Sequence, residues 1–96
     1  THEEDLARIY KLRILGYCPY VMIYDKQKFV TTRGRLLPDV WERYTPEQIF
    51  HFKLCQHLQR WTTNRALWAS CPTINDYRPY TNFIEKWPEI LRRNNP

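Results

Sequence analysis

The segment Pro19-Tyr20-Val21-Met22-Ile23-Tyr24-Asp25-Lys26 carries an unbroken apolar and aromatic run between a proline and an abrupt polar break. The run is continuous rather than alternating, which is the habit of a strand buried on both faces in a parallel sheet. A strand over 20–24 is therefore expected, with Cys18-Pro19 as the turn into it and Asp25-Lys26 closing it.

Working outward, both flanks read as helix. Thr1-His2-Glu3-Glu4 matches a capping box, in which a hydroxyl and a carboxylate exchange bonds with free amides. Glu3, Glu4 and Asp5 lie at the positive end of that helix, and Lys11 and Arg13 near the negative end. Leu6, Ile9, Tyr10 and Leu12 keep a helical period, and Gly16 supplies the left-handed stop, so a helix is expected over about 2–15. Since Thr1 already reads as a cap, the chain is expected to be a fragment of something longer. On the other flank, Thr45-Pro46-Glu47-Gln48 opens a second helix. Ile49, Phe52, Leu54, Cys55, Leu58 and Trp61 line one broad face of it, to about Thr62. Asn64 is a candidate cap.

The remaining stretches are weaker. Residues 27–44 read as a loop around Gly34 and Pro38, with a short helix at 39–43. Ala66-Leu67-Trp68-Ala69 reads as a second, short strand. Residues 71–80 read as irregular, and 82–87 as a short helix that Pro88 interrupts before 89–93 continue it. The order helix, strand, helix, short strand is half of a repeating α/β pattern. Two strands make a poor parallel sheet by themselves, so more strands are expected from outside the segment.

Composition narrows the class. The chain has 96 residues, 43% hydrophobic and 16% aromatic, which suits one small folded domain and excludes a disordered tail. The net charge of +5 comes from 15 Lys and Arg spread along the chain without a dense run. That distribution predicts weak, non-specific nucleic-acid binding at most. No charged-then-apolar leader opens the sequence, and the apolar run at 17–24 is far short of the roughly 20 residues of a membrane helix. Cys18, Cys55 and Cys71 are odd in number and widely spaced, unlike a secreted disulfide framework, so a reducing cytoplasm and no membrane are expected.

Few residues carry chemistry. His51 and Cys55 stand one turn apart and would need Cys18 or Cys71 to hold a metal; since Cys55 falls on the apolar face and no second close pair exists, a core thiol beside a surface histidine is expected instead. With Gly16 and Gly34 as the only glycines, a phosphate loop is excluded. Glu3, Glu4, Asp5 and Glu47 read as helix-dipole residues, and no cysteine stands where a thiolate is favoured. Two clusters remain. Tyr24-Asp25-Lys26 follow the carboxyl end of the expected strand, where parallel sheets bind ligands. Arg60-Trp61 with Asn64, followed by Asn75-Asp76-Tyr77, form the second.

Several of these stretches resemble the late part of certain radical SAM proteins. The similar residues are Glu4-Asp5-Leu6, Leu12-Arg13-Ile14-Leu15-Gly16-Tyr17 and Pro19 through Lys26. Further on, Leu58-Gln59-Arg60-Trp61-Thr62-Thr63-Asn64-Arg65, Ser70 and Asn75-Asp76-Tyr77 look like the family's LQRW segment and its DY ending. The resemblance covers about half the chain. It implies an α/β fold, a fragment of a parallel (βα) barrel with an irregular tail over 78–96, in a family that uses S-adenosylmethionine and a four-iron, four-sulfur cluster. The family's CxxxCxxC cluster loop is absent here, and residues 27–44 are longer than its pattern. The chain alone is thus expected to bind neither cofactor, to hold no catalytic residue and to be inert. Ile23, Tyr24, Asp25 and Lys26 would line the adenosine side of the cofactor pocket. The expected partner is a missing N-terminal barrel half, or a second copy of the chain. The alternative is a small basic nucleic-acid-binding or structural α/β module, with exposed Trp residues gripping single strands.

Overall fold

The computed structural model describes residues 1–17, 19, 21, 23 and 26–94. Among the described residues six helices and one 3-10 turn follow each other: α1 (His2–Ile14), α2 (Lys26–Phe29), α3 (Val40–Arg43), α4 (Pro46–Thr63), α5 (Arg65–Ser70), the turn at Ile74–Asp76, and α6 (Arg78–Asn94).

The two expected long helices form where their caps place them. Thr1 Oγ1 accepts from the Glu4 amide at 3.2 Å, and α1 ends with Gly16 at φ +86°. The Tyr17 amide then reaches the Leu12 carbonyl at 2.9 Å and the Gly16 amide the Arg13 carbonyl at 3.0 Å, the paired bonds of a Schellman stop. At α4, Thr45 Oγ1 accepts from the Gln48 amide at 3.2 Å while Gln48 Oε1 accepts from the Thr45 amide at 2.9 Å.

The α/β barrel fragment is not what forms. Among the described residues the fold is 73% helical with 2% strand and no sheet. Among the described residues the only β pairing is an isolated antiparallel bridge between Val30 and Leu36. Residues 20, 22 and 24 of the expected strand lie outside the described residues. Val21 and Ile23 are half-buried without regular structure. The Val21 carbonyl is taken by a side chain, Gln59 Nε2 at 3.1 Å. An apolar run needs partner strands to become a sheet, and the chain's other apolar segments are helical.

The second expected strand, Ala66–Ala69, is inside α5. A four-residue apolar run does not distinguish strand from helix by period. Here Asn64 Oδ1 accepts from the Leu67 amide at 3.1 Å, and that cap, followed by good helix formers, decides it.

The expected irregular tail is the helix α6, which runs straight through Pro88. An interior proline costs a helix about 3 kcal/mol. Against it, Phe83 and Trp87 set their rings 5.5 and 5.0 Å from Phe50 of α4, and Trp87 stacks 5.8 Å from Trp41. Each ring contact adds about 0.5–1.5 kcal/mol beyond burial, and these half-buried rings gain a further part of the roughly 1.5–3 kcal/mol that full burial brings. Packing outweighs the proline. Residues 27–44, expected as loop, hold most of α2, the tight turn at Gly34 (φ +82°) and α3, the last close to the short helix read at 39–43.

The main core joins Ile9 of α1 to Leu54, Leu58 and Trp61 of α4, and these to Cys71, Ile74, Tyr77 and Tyr80. Trp61 is wholly buried, its Nε1 donating to the Cys71 carbonyl at 3.0 Å. Tyr10 Oη accepts from the Ile74 amide at 3.0 Å, and His2 Nε2 meets Tyr80 Oη at 2.8 Å. Phe29 stacks between Tyr44 (4.2 Å) and Phe52 (4.4 Å), close to buried Val30, Val40 and Ile49 in sequence. Among the described residues no helix is long and apolar enough to cross a membrane.

Candidate functional site

A face of α4 at the edge of the main core carries Lys53, Gln56, His57 and Arg60, spaced three and four residues apart on one helical stripe. Opposite it, the Thr31–Arg35 turn closes through the Thr31 amide on the Arg35 carbonyl at 2.8 Å and brings Thr32 and Arg33 alongside. Gln56 Nε2 pins that turn by donating to the Gly34 carbonyl at 3.3 Å. Lys26, at the start of α2, completes the rim; its Nζ donates to Gln59 Oε1 at 3.3 Å. Together they enclose a cleft of about 540 Å³.

The cleft is cationic. Lys26, Arg33, Lys53 and Arg60 line it, and no carboxylate among the described residues does. Lys53 donates to Gln56 Oε1 at 2.9 Å, and its ammonium is pushed below the usual lysine range by burial first, then by Arg60. Burial, reinforced by Lys53 and Arg60, pushes the His57 imidazole down to about 4. His57 is therefore neutral at pH 7, offering one N–H and one lone pair. Its ring rests among Phe83 (5.4 Å), Tyr77 (6.1 Å) and Tyr80 (6.4 Å).

Of the residues singled out in the sequence, Lys26, Arg60 and Asn64 meet at this cleft. Ile23 is half-buried outside any regular element, and Tyr24 and Asp25 lie outside the described residues. Trp61 points into the core, and Asn75-Asp76-Tyr77 belong to the 3-10 turn and its end. Lys53, Gln56, His57, Thr32 and Arg33 were not anticipated. The helical spacing of the first three with Arg60 was the available signal; the turn that delivers Arg33 had none.

The described cysteines do not fit an iron–sulfur cluster. Cys55 Sγ lies 3.6 Å from His51 Nε2, and burial together with Asp5 pushes its thiol up, away from the thiolate a metal needs. Cys71 is buried, its thiol donating to the Asp76 carbonyl at 3.6 Å. Among the described residues no three His, Cys, Asp or Glu side chains group to hold a metal ion. Nor does the cleft suit S-adenosylmethionine, whose sulfonium and ammonium would face four cations with no described carboxylate to receive them. No protein-family model matches this chain, and no curated protein or solved structure matches it either.

Proposed function

We propose that this chain is a helical C-terminal segment of a radical SAM-type enzyme, dependent on S-adenosylmethionine and a four-iron, four-sulfur cluster held by residues outside the chain, and inert alone. The observation that carries this reading is Gln59. It belongs to the LQRW-like stretch, and its one side-chain amide bonds both Val21 and Lys26 of the Pro19–Lys26 stretch. The two most family-like segments, 38 and 33 residues apart at these contacts, are thus a single unit in space. Arg13, from the stretch ending at Gly16, adds a third tie: its guanidinium lies 4.1 Å over the Trp68 ring, and Nη2 donates to the Trp68 carbonyl at 2.6 Å.

In this proposal Ile23, Tyr24 and Asp25 complete the adenosine side of a cofactor pocket formed with the rest of the enzyme, while Lys26 lines the cationic cleft instead. Ile14, Leu15 and Tyr17, exposed at the end of α1 beside that stretch, supply an apolar surface for docking on it. Cys55 and Cys71 are free thiols, in keeping with a reducing cytoplasm. The test is the DNA that flanks the codons of this chain. A CxxxCxxC loop in the same or the adjoining reading frame is expected, and flanking frames without one would overturn the proposal.

A further inference from the structure

We propose that the cleft between α4, α2 and the Thr31–Arg35 turn is a binding site for a small ligand carrying two or more phosphate groups. The charge arrangement is the first ground. Lys26, Arg33, Lys53 and Arg60 converge on one cleft from three elements, and among the described residues no carboxylate pairs with Arg33, Lys53 or Arg60. Between described residues, ion pairs join Thr1 to Glu4, Asp39 to Arg43 and Glu89 to Arg93, all away from the cleft. Like charges held together without a counter-charge repel, and a bound polyanion removes that repulsion. The two guanidinium groups present planar forks that match phosphate oxygens two at a time.

Shape and lining decide between phosphate sources. A volume of about 540 Å³ falls within the range of small-molecule sites, roughly 300–1,000 Å³. Cations around a cleft suit a compact diphosphate, whereas a nucleic-acid backbone asks for a basic stripe. Among the described residues no ring besides neutral His57 lines the cleft, so these residues offer no platform on which bases would stack. Hydroxyl and amide groups of Thr32, Thr63 and Asn64 add neutral donors. The site rests on these side chains alone and stands or falls independently of any family membership.

The experiment is calorimetric titration of the 96-residue chain with inorganic pyrophosphate at two salt concentrations. One saturable site that weakens with salt is expected. Lys53→Gln and Arg60→Gln should each weaken it about tenfold, as the loss of one charge-assisted contact does. Lys26→Gln and Arg33→Gln, at exposed positions, should do the same without disturbing the fold. Arg92→Gln, on the far end of α6, should leave it unchanged. A nucleoside diphosphate should bind as tightly as pyrophosphate; tighter binding keeps the site and assigns it to nucleotides. No saturable binding up to millimolar pyrophosphate, equal weakening by Arg92→Gln, or displacement by a single-stranded oligonucleotide at lower concentration would each overturn the proposal.

Discussion

Gln59 on α4 donates through Nε2 to the main-chain carbonyl of Val21 at 3.1 Å, while its Oε1 accepts from Lys26 Nζ at 3.3 Å. A carbonyl that a sheet would have paired with a neighbouring strand is paired with an amide side chain instead. Gln59→Leu removes both bonds at nearly constant volume. It should lower unfolding free energy by about 1 kcal/mol, the net worth of such bonds. It should also speed amide exchange of residues 19–26 while leaving α1 and α6 protected. Hydrogen exchange by mass spectrometry reads this; unchanged exchange in 19–26 would show that the tether holds nothing.

Trp61 is wholly buried at the junction of α4 and the chain after α5. Trp61→Phe keeps most of the volume but leaves the Cys71 carbonyl without its donor, a cost of about 1–3 kcal/mol. Trp61→Ala adds a cavity and should cost about 3–5 kcal/mol, enough to unfold a domain this small. Urea titration followed by far-UV circular dichroism distinguishes the two.

Pro88 sits exposed inside α6. Pro88→Ala restores a helical amide and should raise stability by about 1–3 kcal/mol, read as a higher denaturation midpoint. A lower midpoint would show that the ring itself is needed there.

How much of this was readable in the residues depended on local chemistry. The helices α1 and α4 announce themselves through Thr1, Thr45, Pro46 and Gly16, because caps act within four residues. The barrel drawn from the run at 20–24 did not form, for a non-local reason: a sheet needs partner strands, and Ala66–Ala69 went to a helix capped by Asn64 while Val21 and Ile23 lie outside regular structure. Pro79 and Pro88 hid α6, whose formation depends on Phe83 and Trp87 finding Phe50 across the fold. At the cleft, Lys26 and Arg60 were singled out separately. Their meeting depends on the turn at Gly34, which local sequence does not aim.

The His57 imidazole gives a pH signature. Its folded value of about 4 lies below the ordinary 6.5, so the unfolded chain binds a proton first as pH falls. Stability contributed by neutral His57 is complete above about 6.5 and is lost as pH drops toward 4. The half-exposed ring is screened by solvent, so the loss is about 1–2 kcal/mol rather than the full linkage value. His57→Gln should flatten the dependence of the urea midpoint on pH across that window. A variant that keeps the full slope would place the titration elsewhere.

In the proposed function this helical segment serves an S-adenosylmethionine-cleaving enzyme whose cluster is held outside it. The most direct measurement is cleavage of S-adenosylmethionine by the complete product of the coding locus, reconstituted anaerobically with iron and sulfide and compared with residues 1–96 alone. Cleavage by the complete product and none by the segment is the predicted result. A complete product that takes up no cluster and leaves S-adenosylmethionine intact would contradict it.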